Sequence, residues 1–181
     1  MNQTPAPART YSFFGRLQRI LRHRWMDGSD TRRAVPPELL KRLENYVTAS
    51  EGRHTGEIRI CVEAGMPNSY LWRNASVRER AVTMFGKLRV WDTEHNNGVL
   101  IYLQLAERSI EIVADRGLNR CVSTTHWQAV TARMSAAFAA GHFEDGLTQA
   151  LQEVSALLVE HFPASADAPR ERGLPNAPDV R

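Results

Sequence analysis

The chain has 181 residues, a mass of 20.4 kDa and a formal net charge of +3, with 43% hydrophobic and 24% charged residues. That balance excludes bulk disorder and a collagen-like chain. The longest unbroken aliphatic or aromatic run, Val99–Leu103, is too short to span a bilayer, and the N-terminus lacks the apolar stretch of a secretory leader. Two cysteines, Cys61 and Cys121, make no disulfide framework and read as buried thiols of a cytoplasmic protein, Cys61 as packing within a strand, with a single bridge left open.

The charge is unevenly placed. Residues 1–33 carry seven arginines against Asp27 and Asp30, a net of +5, whereas the rest of the chain has sixteen basic and eighteen acidic residues, a net of −2. Residues 1–10 read as a loose arm. Over Tyr11–Trp25, Phe13, Phe14, Leu17, Ile20, Leu21 and Trp25 fall within a sector of roughly 140° on a helical wheel. Arg16, Arg19, Arg22 and His23 fall opposite, which predicts a basic amphipathic helix. Residues 26–35, with Asp27-Gly28-Ser29-Asp30, read as a linker. We therefore divide the chain into a basic segment 1–33, a domain 34–163 and a disordered tail 164–181. The tail is rich in proline and poor in hydrophobe.

Within the domain, Pro36 and Pro37 open a helix in which Leu39, Leu43 and Val47 recur at helical spacing up to Gly52. Glu57–Glu63 alternates, with Ile58, Ile60 and Val62 on one side, and predicts a strand. Residues 65–74 read as a loop. Ser76-Val77-Arg78-Glu79 has capping-box spacing ahead of a helix buried through Val77, Ala81, Met84 and Leu88. Val99–Leu105 is nearly continuous hydrophobe, as in a central strand covered on both faces. Ile110, Ile112 and Ala114 alternate in the return strand of a hairpin. One helix begins near Ser123–Thr125 and ends at Gly141, and another runs from about Phe143 to Phe162. The order α-β-α-β-β-α-α, with the extra N-terminal amphipathic helix, predicts an α/β fold. Its mixed sheet is sandwiched between helices as an α/β/α arrangement.

Three segments resemble the TPM domain family. Leu88–Ile101, with its Asn96-Asn97-Gly98-Val99-Leu100 core, resembles the first conserved block. Glu107–Leu118 resembles the second and Phe138–Leu147 the third, in the same order, so the resemblance covers roughly residues 38–162. It implies a mixed sheet between helices, a role beside membrane proteins, and in some members acid phosphatase activity or calcium binding. The Gly-Tyr-Gly frequent in the family after the second hairpin strand is Asp115-Arg116-Gly117 here.

The best candidate cluster, Asp92, Glu94, His95, Asn96 and Asn97 with Asp115 and Arg116 nearby, surrounds that position. In a simple hairpin Asp115 returns toward Asn96–Gly98. Asp92, Glu94, Asn96 and Asp115 then offer hard oxygens for Ca²⁺ or Mg²⁺, and Arg116 offers an anion site. The alternative is that Asp92, Asn96 and Asn97 satisfy turn backbone while Asp115 and Arg116 pair at the surface. The histidines lack zinc-ligand spacing, there is no Gly-x-Ser-x-Gly elbow, and Gly52–Gly56 lacks the phosphate-loop ending. No covalent nucleophile is identifiable, so a phosphatase would need metal-activated water.

The basic helix is the second candidate site. Phe13, Phe14, Arg16, Leu17, Arg19, Leu21, Arg22 and Trp25 suit an anionic membrane, a partner protein or the domain itself. Nucleic acid is disfavoured by the acidic body and the lack of a base-reading motif. The leading expectation is a non-enzymatic accessory module at the inner membrane, aiding assembly, repair or quality control of membrane proteins. The alternative is a divalent-metal-dependent phosphatase acting on phosphomonoesters.

Overall fold

The computed structural model describes residues 13–26, 28–164 and 173–181. In chain order the elements are α1 (Phe13–Trp25), α2 (Gly28–Ala34), α3 (Pro37–Glu51), β1 (Ile58–Glu63), α4 (Asn68–Trp72), α5 (Val77–Lys87), β2 (Val99–Gln104) and β3 (Ser109–Ala114). They continue with α6 (Arg116–Cys121), α7 (Thr124–Ala139), α8 (Phe143–His161) and β4 (Asp179–Val180).

The sheet order is β3-β2-β1-β4. β1 and β2 run parallel with Ile58 opposite Val99, Ile60 opposite Ile101 and Val62 opposite Leu103. β2 and β3 form the expected antiparallel hairpin. Because side chains alternate along a strand, this register sorts the sheet into two faces. Ile58, Ile60, Val62, Val99, Ile101, Leu103, Ile110 and Ile112 pack with α3, α7 and α8 through Leu39, Leu43, Val130, Met134, Leu151 and Leu158. Cys61, Leu100, Tyr102 and Val113 pack with Val77, Ala81 and Met84 of α5. Both faces of β1 and β2 are therefore covered, as the near-continuous hydrophobe of β2 requires. Each fully buried large aliphatic residue contributes about 2 kcal/mol of apolar transfer.

The caps follow the sequence signals. Ser76 accepts from the Glu79 amide at 3.1 Å, so α5 starts at Val77. Ser123 accepts from the His126 amide at 3.2 Å and opens α7. Gly141, with φ of 85°, makes the left-handed turn before α8.

Four local expectations are corrected. The expected linker 26–35 contains α2, which buries Thr31 and is followed by the buried Val35. Residues 65–74 contain the short α4, and α6 intervenes between β3 and α7. The expected disordered tail is ordered over 173–181, where β4 pairs parallel with β1. That segment has few apolar residues because its order comes from main-chain bonds to Glu57, Arg59 and β1.

Candidate functional site

The helix α1 is held on the domain by its polar side. Arg19 is 4% exposed and donates from Nε to Glu107 Oε1 at 2.6 Å, from Nη1 to Asn74 Oδ1 at 3.0 Å and from Nη2 to the Ala75 carbonyl at 2.8 Å. His23 is 5% exposed; its Nδ1 accepts the Met66 amide at 3.0 Å. The ring proton then sits on Nε2, 3.1 Å from Glu107 Oε1. Gly65 permits this approach, since a β-carbon there would lie 2.6 Å from the His23 carbonyl oxygen. Ile20 adds an apolar contact to the α5 face of the core.

This docking turns the apolar side of α1 outward. Phe14 is 79% and Trp25 81% exposed, and Leu17 and Leu21 are exposed between them. These four residues share a sector of roughly 80° on the wheel, with Arg16, Arg22 and Arg24 also exposed. Trp72, at the end of the neighbouring α4, is 74% exposed. The usual order of an amphipathic helix is thus partly inverted: Arg19 and His23 face the protein with Ile20, while the main apolar stripe faces out beside exposed arginines. Arg19, expected on the docking surface, is instead the anchor. The side chain of Phe13 lies outside the described residues.

The second candidate lies where β2 begins and β3 ends. Gly98 has no room for a side chain, because a β-carbon would meet the Val90 carbonyl oxygen at 1.9 Å. Asn96 adopts a φ of 52°, a conformation that asparagine tolerates better than most residues. Its carbonyl accepts the Gly117 amide at 2.8 Å, and a β-carbon on Gly117 would clash with the carbonyls of His95 and Asn96. The Asp115 amide reaches the Gly98 carbonyl at 2.9 Å, so the hairpin does bring Asp115 to the Asn-Asn-Gly turn.

The predicted residues divide at this corner. Asp92 and Glu94 are exposed. Asn96 Oδ1 accepts from Arg116 Nε at 2.8 Å, so Arg116 is engaged with the turn itself. Asp115 Oδ1 caps α6 by accepting the Arg116 amide at 2.7 Å. Two buried oxygens remain without a hydrogen-bond partner, Asp115 Oδ2 and Asn97 Oδ1. Burying such acceptors unpaired costs about 1–3 kcal/mol each. Both are hard oxygens of the type that divalent cations take as ligands. No group of three His, Cys, Asp or Glu among the described residues is arranged around a metal position. Asn97 belongs to the expected cluster though not to its expected ligand set, and its place before the crowded Gly98 is what buries it.

Fold and corner together define a mixed α/β/α sandwich domain with a glycine-locked hairpin corner. The TPM domain profile matches residues 29–157, and the chain belongs to that family. It is similar to the BA42 protein of the psychrophilic bacterium Bizionia argentinensis, known from an NMR structure. The two share 26% identity over 81% of this chain and 95% of that one, with a TM-score of 0.69. The fold also resembles the N-terminal domain of a protein from P. gingivalis, at 18% identity over 71% and 81% of the two chains and a TM-score of 0.58. No curated protein matches this chain.

Proposed function

We propose that the protein is a non-enzymatic TPM-type accessory module that sits on an anionic membrane surface and assists assembly, repair or quality control of membrane proteins. The outward apolar face of α1 carries this reading. A helix anchored by Arg19 and His23 presents Phe14, Leu17, Leu21 and Trp25 as a preformed insertion surface. Exposed Arg16, Arg22 and Arg24 contribute about 1 kcal/mol each near acidic headgroups. No helix of the described residues is long and apolar enough to cross a membrane, so the association is peripheral in this reading. The two cysteines are unpaired, which suits the reducing side of the inner membrane. Flotation with phosphatidylglycerol-containing vesicles tests it. Wild type should float, and the Leu17→Glu/Leu21→Glu variant should stay in the dense fraction. Equal behaviour of the two proteins removes the anchor.

A second reading, a divalent-metal-dependent phosphatase acting on phosphomonoesters, is favoured by the unpartnered Asp115 Oδ2 and Asn97 Oδ1. A Ca²⁺ or Mg²⁺ ion held there would supply Lewis-acid polarisation of a phosphoryl oxygen. Arg116 would release Asn96 and pair with the phosphate. Calorimetric titration with each metal separates the readings. Asp115→Asn keeps the helix cap but removes the charge, and should weaken binding by about tenfold or more. No heat from wild type at millimolar metal leaves this reading without its ion.

A further inference from the structure

The segment 173–181 lies along the outer edge of β1 in an unusual manner. None of its residues is buried, yet the β1-side groups that hold it, Glu57 and Arg59, are. The Glu57 carboxylate accepts two successive amides, Gly173 at 3.2 Å and Leu174 at 3.3 Å. The Arg59 guanidinium donates to the carbonyls of Pro175 and Ala177, the latter at 2.6 Å, and its other nitrogen lies 3.8 Å from Asp179. Asp179 and Val180 then stand opposite Cys61 and Val62, and the Arg181 amide reaches the Val62 carbonyl at 2.8 Å. Most of this recognition is of main chain. Side chains are read chiefly at Leu174, which packs partly against the α5 face of the core, at Asn176, and at Asp179.

We infer that the β1 edge is a peptide-receiving site. Residues 173–181 fill it within the chain, and an extended segment of a different protein fills it in their place. The chemistry of that partner follows from the contacts. It runs parallel to β1, carries an aliphatic residue at the Leu174 position, and has an acidic residue five positions later to meet Arg59. Addition of a strand to a sheet edge draws affinity from backbone hydrogen bonds and selectivity from a few side-chain positions. The asymmetry of burial is the main argument. Glu57 and Arg59 lose their partners if the edge is vacated, so the edge calls for an occupant. The occupant gives up no buried side chain on leaving, so exchange is open to it. Charge complementarity between Arg59 and Asp179 fixes the acidic position. This site is independent of the α1 surface and of the Asp115 corner.

Fluorescence anisotropy with a labelled nonapeptide of the sequence of residues 173–181 tests the inference on the full chain. Asp179→Ala loosens the resident segment and leaves the edge intact. The peptide should bind this variant saturably and at least about tenfold more tightly than wild type. Adding Arg59→Ala should abolish binding. A peptide with arginine at the aspartate position should also fail to bind Asp179→Ala, and this arm stands even where the Arg59 variant does not fold. Absence of saturable binding, or equal binding of both peptides, overturns the inference. A strand-exchanged dimer of the Asp179→Ala variant, seen by light scattering before peptide is added, also overturns it by assigning the edge to a second copy.

Discussion

At Gly98 the exclusion of one methyl group shapes the corner. The 1.9 Å approach to the Val90 carbonyl involves backbone, which has no rotamer to yield. Gly98→Ala is expected to lower stability by about 3 kcal/mol in urea denaturation. Gly86, in α5, has nothing within 4 Å of a β-carbon, so Gly86→Ala should raise stability by about 0.5–1 kcal/mol. Glu107 sets a pH dependence. Burial alone would raise its pKa, but the His23 hydrogen bond and the Arg19 charge outweigh burial and hold the carboxyl below its ordinary value of 4.5. Its contribution to α1 docking is therefore complete above that value and is lost as pH falls through the depressed folded pKa. Amide exchange in α1 should accelerate relative to α8, which lacks this contact, as pH falls below 4.5 and through the depressed folded pKa. Neither effect was legible in sequence. Gly98 stood out as part of a turn, but the carbonyl it must clear is eight positions away. Arg19 lay on the polar side of the wheel, where exposure is the ordinary expectation, and its three acceptors come from residues 74, 75 and 107.

Elements are joined across the α5 face by a buried polar contact. Glu63 of β1 accepts from Arg80 Nε of α5 at 2.9 Å and from the Tyr102 hydroxyl of β2. The hydrogen bond to Glu63 drives the Arg80 pKa up, and burial beside that carboxylate raises Tyr102. Removing one member strands the other, so Glu63→Ala should cost about 3–5 kcal/mol by chemical denaturation. Glu63→Gln, which keeps an acceptor, should cost less. The helices α5, α7 and α8 were legible because each buries a stripe at helical period, β1 and β3 because their hydrophobes alternate, and β2 because its hydrophobe is nearly continuous. The short α2, α4 and α6 were not, because helices of five to seven residues depend on tertiary packing for stability. β4 was hidden for a related reason. The segment 173–181 that carries it has prolines and polar residues with no strand signal, and the groups that order that segment, Glu57 and Arg59, are more than a hundred residues earlier. Cys61 was legible as packing: burial pushes its thiol up to about 12. Cys121, expected to be buried, is instead exposed at the end of α6 and should alkylate in the native state, with Cys61 following only after unfolding.

For the whole molecule, the α/β/α layering and the TPM relationship were both visible in the order of elements and in three short blocks of residues. What the sequence left open was which side of α1 meets the domain. Hydrophobic patterning alone favours burying Phe14, Leu17, Leu21 and Trp25, but the Arg19, His23 and Glu107 contact selects the opposite face. The result is an acidic domain with a basic, apolar ridge on its surface. The direct test uses a protein in which Trp25 is the sole tryptophan, mixed with phosphatidylglycerol vesicles carrying brominated acyl chains. Trp25 emission is predicted to be red-shifted in buffer, then to shift blue and be quenched on vesicles. Blue emission in buffer, or vesicle binding that leaves Trp25 unquenched, would contradict an outward, lipid-inserting face on α1.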